Sequence, residues 1–314
     1  MRKHTLWLPI AVIVAAIVLI GWTSNAGQQE SASTVPITTV VTVLGPNFSA
    51  PPAIAQSDVT VYSGKNRQDV TSWVPARGDK AGLQLAILID DADSPSAIGQ
   101  HFNDIKNFIT SQPSTTQVGI YYATSGTTQA VANFDSDHEA VAKKLRLPLG
   151  RLAGTSPSIY LSLQDFVSHW PANGIRHEVL MIASGVDRLY PGIQDPYLDD
   201  GVKHAQMSGV VVYTIYTGGP RLANTLFRMD IAWQNLIRVS DNSGGLPFFQ
   251  GFETPVDFAP IFRQLDTVLN NQYLLTFNTP RSNNKKGEMR DIRIRMEQRD
   301  IRLHYPTQVF VPGS

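Results

Sequence analysis

Cysteine is absent from all 314 residues, which excludes disulfides, thiolate nucleophiles and cysteine-ligated zinc. Any metal site must therefore use oxygen or imidazole. An excess of charge is missing as well: 26 Lys and Arg balance 26 Asp and Glu, so the charge balance does not suggest binding to nucleic-acid phosphates, and that role is disfavoured. The histidines (His4, His101, His138, His169, His177, His204 and His304) form no His-x-His or His-Glu-x-x-His spacing, and with it the zinc-protease helix is excluded. No Gly-x-Ser-x-Gly elbow occurs either. Gly150-Arg151-Leu152-Ala153-Gly154-Thr155-Ser156 has two glycines and a hydroxyl, but it lacks the lysine of a phosphate loop and is one residue short.

What is present begins with Met1-Arg2-Lys3-His4 and a charge-free apolar run from Leu6 to Trp22, followed by Ser24-Asn25-Ala26. This is an export signal: the run matches the lower limit of a spanning helix, and Ser-x-Ala matches a small-residue cleavage site. Residues 1–26 are thus a cleaved signal peptide or a retained N-terminal anchor, and the rest folds outside the cytoplasm. The length allows about two domains at roughly 150 residues each.

Residues 27–80 read as a β segment. Ile37 to Leu44 is β-branched, Val59 to Tyr62 alternates, Ser63-Gly64-Lys65-Asn66 signals a hairpin, and Val70 to Trp73 returns. From residue 81 to 271 strands alternate with helices, predicting βαβ units and a mainly parallel sheet. The strands are expected at Leu83 to Ile89, Gln117 to Ala123, Glu178 to Ala183, Val210 to Tyr216 and, briefly, Leu246 to Phe249. The helices are expected at Ile98 to Thr110, His138 to Leu147, Ser158 to Trp170, Tyr197 to Ser208, Leu222 to Val239 and Val256 to Leu269. Residues 272–314 return to strand patterns in a three-stranded tail, with Ser282 to Gly287 as a solvated hairpin turn. Neither β end buries a face alone, so the two pair into one small all-β subdomain with the α/β domain inserted between them.

The most informative stretch is Leu83-Gln84-Leu85-Ala86-Ile87-Leu88-Ile89-Asp90-Asp91-Ala92-Asp93-Ser94. An apolar strand runs straight into carboxylates and hydroxyls, and in a doubly wound sheet the ligand crevice lies outside the carboxyl ends of the strands. Oxygen ligands of this kind suit hard cations.

Strand, Asp-x-small-x-Ser and helix, then Gly154-Thr155 before another helix, then an apolar strand ending Ala183-Ser184-Gly185: this order resembles the von Willebrand factor type A domain. The flanks Asp58 to Lys65 and Asn271 to Phe277 resemble those of the exported, Acidobacteria-type VWFA-related proteins of bacteria, and the likeness covers residues 36 to 312. It implies a doubly wound, Rossmann-like α/β fold and a metal-ion-dependent adhesion site in which the ion accepts a carboxylate from the partner.

Asp90, Ser94 and Thr155 match the site's pattern. Ala92 stands where a hydroxyl belongs, and Ser184 where the second carboxylate belongs. The remnant metal set is therefore Asp90, Ser94, Thr155 and Asp187, with Asp91, Asp93 and Ser184 as substitute ligands for Mg²⁺, Mn²⁺ or Ca²⁺. Capping and turn roles compete for Asp91, Asp93 and Thr155, because Asp-Ser-Pro and Thr-Ser-Pro both open helices. A site that binds no ion is the other reading. On the same edge, Tyr190 to Tyr197 is a rigid loop with two Tyr and two Pro, a candidate partner surface.

The expected function is that of an exported, non-catalytic protein-binding or adhesion module in the periplasm, the envelope or the medium. Its partner would be another protein or an extracellular matrix component, with membrane contact only through an uncleaved N-terminus. A structural or assembly component of the envelope is the first alternative. A hydrolase using His169, His177 or Ser156 is the second.

Overall fold

A computed structural model describes residues 33–150, 157–190, 193–218, 226–251, 255–298 and 300–314. The expected export signal at residues 1–26, Thr155 and Ser156 lie outside them. The chain first lays down β1 (Thr34–Leu44), β2 (Val59–Ser63) and β3 (Asn66–Pro75). The predicted hairpin turn closes between Ser63 and Asn66, which pair directly.

The α/β part follows as β4 (Leu83–Asp90), α1 (Pro95–Gly99), α2 (Phe102–Thr110), β5 (Thr116–Thr124), β6 (Thr127–Asp135), α3 (His138–Lys143) and α4 (Ile159–Ser168). It continues with β7 (Arg176–Ala183), α5 (Pro196–Met207), β8 (Val211–Tyr216), α6 (Leu226–Ser243), β9 (Pro247–Phe248) and α7 (Ala259–Asn270). The chain ends in β10 (Gln272–Pro280), β11 (Glu288–Met296), β12 (Arg302–His304) and β13 (Gln308–Val311).

The α/β sheet has the order β6-β5-β4-β7-β8-β9. Every pair is parallel except β5 and β6. Counted within the domain this is 3-2-1-4-5-6, the doubly wound order whose crevice opens at the carboxyl end of the first strand. Alternation along β4 feeds both layers. Leu83, Leu85, Ile87 and Ile89 pack with α2, α3 and α7, while Ala86 and Leu88 pack with α4, α5 and α6. Buried on both faces, β4 reads as a continuous apolar run, as a central parallel strand should.

Both chain ends join one antiparallel sheet, ordered β12-β1-β10-β3-β2-β11-β13. Val41, Val43, Val61, Trp73, Leu275, Phe277, Ile294 and Val311 share its core. The inserted-domain architecture expected from the sequence is the observed one. Arg176 at the start of β7 ties the two parts together: it donates to Gln272 Oε1 and Ala81 O and lies 3.5 Å from Glu178 Oε1. Among the described residues no helix is long and apolar enough to cross a membrane.

Three details depart from expectation. The helix expected at Ile98 to Thr110 is two helices, because Gly99 ends α1 and His101 restarts the chain as the N-cap of α2. The tail has four strands, and β10 and β11 are not neighbours: their connection crosses over β3 and β2, so residues 281–287 do not close a hairpin. Strand β6 was not anticipated. It is a mostly exposed edge strand rich in Thr, Asn and Gln, opened by Ser125 and Gly126 at positive φ.

Candidate functional site

The carboxyl ends of β4 and β7 adjoin at the switch point of the sheet and carry Asp90 and Ser184. Asp90, Asp91, Asp93, Ser184 and Asp187 are all buried. Burial of this many carboxylates demands partners, and the chain supplies them.

Asp91 is claimed by Arg146, which reaches over from the segment after α3. Its guanidinium grips both carboxylate oxygens at 2.6 and 2.9 Å, and Leu149 N–H adds a third bond at 2.9 Å. The same guanidinium lies 3.7 Å from the centre of the Tyr122 ring. Asp91 is thus an ion-pair residue rather than a free ligand.

Asp187 is equally occupied. One oxygen accepts Leu189 N–H at 2.7 Å and Tyr190 N–H at 2.8 Å, and the other accepts the hydroxyl of Ser158, the N-cap of α4. This shapes the loop carrying Tyr190. Asp195 caps α5 through Tyr197 and Leu198 N–H, and burial together with Asp187 raises its pKa to about 6.

Asp93 reaches across to β7, accepting Ser184 N–H at 2.6 Å and the Thr217 hydroxyl at 2.8 Å. Asp90 accepts Ala92 N–H at 3.0 Å. Between these two carboxylates lies Arg188, with Nη1 at 4.0 Å from Asp90 and Nη2 at 3.8 Å from Asp93. One guanidinium thus faces two buried carboxylates. Burial first, and then the charge of Asp93, push Asp90 up to about 8, with Arg188 pulling the other way. Asp93 is also raised by burial, against the hydrogen bonds from Ser184 and Thr217.

Ser94 is exposed and bonds Ser96 Oγ at 2.8 Å, while Ser184 contributes its backbone N–H. The structure therefore brings Asp90, Asp93, Ser184 and Asp187 to one edge but does not offer them as an open set of oxygens. Among the described residues, no group of three or more His, Asp or Glu is placed to hold a metal ion. Arg188 is the cation that the structure places against Asp90 and Asp93.

Sequence reasoning missed Arg188, Arg146 and Ser158. The Asp187-Arg188 dipeptide was the available signal. Gly185, next to Ser184, has φ +71°, and a Cβ there would lie 2.5 Å from Ala232 O and 2.8 Å from Leu236 Cγ, so the turn demands glycine. Of the two tyrosines, Tyr190 is exposed, whereas Tyr197 is half-buried against the core.

No family model and no curated protein matches the chain. Solved structures similar to it include an aerotolerance-related membrane protein from Bacteroides fragilis NCTC 9343, at 14% identity over 60% of this chain and 99% of that one, with a TM-score of 0.44. Proximal thread matrix protein 1 from the mussel byssus is similar at 13% identity over 66% and 48%, TM-score 0.42. The ArnB paralog VWA2 from Sulfolobus acidocaldarius is similar at 11% identity over 90% and 76%, TM-score 0.37. By its strand order and layers, the chain has a doubly wound α/β fold of the von Willebrand factor type A kind.

Proposed function

We propose that this chain is an exported, non-catalytic protein-binding module of the adhesion type, whose metal site is replaced by an internal guanidinium. It meets its partner, a protein or matrix component, at the carboxyl edge of the parallel sheet. One observation carries this reading: among the described residues, seven of the nine exposed large hydrophobic side chains are Leu147, Leu149, Leu189, Tyr190, Ile193, Phe227 and Val256, all on segments at that edge. Ile193 is 67% exposed and Leu149 61%. Apolar side chains gathered on one face mark a contact surface rather than scatter.

The absence of a reaction from this reading is supported by the histidines. His138, His169 and His204 bond backbone carbonyls, and His177 bonds Asn173 and stacks on Trp170. Export is supported by the charge-free run Leu6 to Trp22. The chain would reside in the periplasm or envelope, or be secreted.

The test has two arms. Titration with Mg²⁺, Mn²⁺ and Ca²⁺ by calorimetry is expected to give no saturable heat. A photo-crosslinking residue at Ile193, in the producing cell, is expected to yield one discrete protein adduct that survives EDTA and is lost with Leu149→Asp, while the same residue at Met207 yields none. Saturable ion binding abolished by Asp90→Ala, or equal capture from both positions, defeats the proposal.

A further inference from the structure

The end of the antiparallel sheet remote from the carboxyl edge is rich in basic side chains. Two connections meet there. The β2–β3 turn holds Lys65, with Arg67 in the first residues of β3, and residues 281–287 cross over this end with Arg281, Lys285 and Lys286. Gly64 N–H donates to Asp291 O at 3.1 Å, which holds the β2–β3 turn against β11. Neither connection contains an acidic residue, in a chain whose formal net charge is zero. The carboxylates of the adjoining strand ends are Glu288, which closes on Arg290 at 3.0 Å, Asp291, which accepts from Gln308 at 2.7 Å, and Asp69, across from Asn278. Lys65, Arg67, Lys285 and Lys286 are exposed and Arg281 is half-buried.

A second, independent observation is where the N-terminal segment joins the fold. The chain enters the described structure here: Thr34 pairs with Pro280, and Arg281 N–H donates to Ser33 O at 3.1 Å. Ten residues, 23–32, separate Ser33 from the apolar run ending at Trp22, a reach of at most about 35 Å. The basic end is thus the end of the fold to which the N-terminal segment is joined.

We propose that Lys65, Arg67, Arg281, Lys285 and Lys286 form a docking surface for anionic phospholipid headgroups, beside a retained N-terminal anchor. Docking turns the carboxyl edge away from the bilayer. Each basic side chain near an anionic surface contributes about fivefold to the ratio of docked to undocked molecules, and the effect is screened by salt.

The cysteine-free sequence makes the experiment clean. Full chain carrying a polarity-sensitive dye at Asn283→Cys, or at Gln194→Cys on the opposite edge, is reconstituted into vesicles of phosphatidylcholine with or without phosphatidylglycerol. The neutral quencher acrylamide reads exposure. The Asn283 dye is expected to be protected only in the anionic vesicles and released by salt, with the Gln194 dye open throughout. Lys65→Gln/Lys285→Gln/Lys286→Gln together lower the docked ratio about a hundredfold. Equal quenching of the Asn283 dye in both vesicles, protection that survives the triple substitution, or a full chain that fails to float with anionic vesicles overturns the proposal.

Discussion

Asp90→Asn tests the electrostatics of the carboxyl edge most directly. Two buried carboxylates face one guanidinium, so the pair retains a proton at neutral pH. Asp90 holds it, because Asp93 accepts two hydrogen bonds and Asp90 one. A folded value raised from 3.8 to about 8 means that the unfolded chain ionises near pH 4 while the folded one does not. The group's stability contribution is complete below pH 3.8 and is lost as pH rises toward 8. About four pH units at about 1.4 kcal/mol each give a loss on the order of 5 kcal/mol. Asparagine mimics the protonated acid and keeps the acceptor for Ala92 N–H, so its variant escapes the loss. Urea midpoints from pH 4 to 9 are expected to coincide at the acid end and diverge steadily, with the variant more stable at pH 8. Parallel profiles, or a variant weaker throughout, refute the shared proton.

Arg188→Met is expected to cost about 3 kcal/mol at pH 9, where Asp90 has lost its proton, and less at pH 5, where Asp90 keeps it; thermal melts at the two pH values compare them. Arg146→Met leaves Asp91 buried with Leu149 N–H as its remaining donor, so a loss of similar size is expected in urea titration. Gly185→Ala must strain a φ of +71° and displace the Ala232 carbonyl; about 2 kcal/mol or more is expected by calorimetry. Glu178→Leu strands Arg176 at the junction of the two sheets and is expected to cost about 3 kcal/mol, read as a lower urea midpoint.

The central strands were legible because burial on both faces writes an unbroken apolar run, as in Leu85 to Ile89. Pairing of the two chain ends followed from the same physics, since neither end had enough sheet to bury a face. Strand β6 was hidden because an edge strand facing solvent keeps polar residues and loses the alternation that marks a strand. At the candidate site the chain-local facts were visible: carboxylates after β4, and Ser184 in place of an acid. What the sequence could not show is which charges meet in space. Arg146 lies 55 positions from Asp91, and Arg188, though it follows Asp187 directly, pairs with Asp90 and Asp93 instead. Local patterns are set by neighbours along the chain, whereas ion pairs are set by topology.

A tethered cation and a bound ion answer the same electrostatic need but differ in what controls them. A divalent ion exchanges with solvent, accepts a partner's carboxylate as a ligand, and is removed by chelation. Arg188 does none of these, so under the proposed function recognition at this edge falls to shape and apolar contact, which suits the exposed Leu149, Tyr190 and Ile193. If the guanidinium stands in for an ion, removing it should reveal the vacated affinity. Arg188→Ser shortens the side chain and vacates the space that the guanidinium fills beside Asp90 and Asp93, at the cost of the internal charge. Added Mg²⁺ is then expected to raise the melting point of Arg188→Ser and not that of the parent, with saturation at ten times the dissociation constant worth about 1.4 kcal/mol. The double variant Arg188→Ser/Asp93→Asn should lose the response, because one carboxylate has gone. An ion effect of equal size in the parent would mean that the site binds metal with Arg188 in place. No effect in Arg188→Ser would mean that Asp90 and Asp93 are held by the hydrogen bonds from Ala92, Ser184 and Thr217 in a geometry no cation can share.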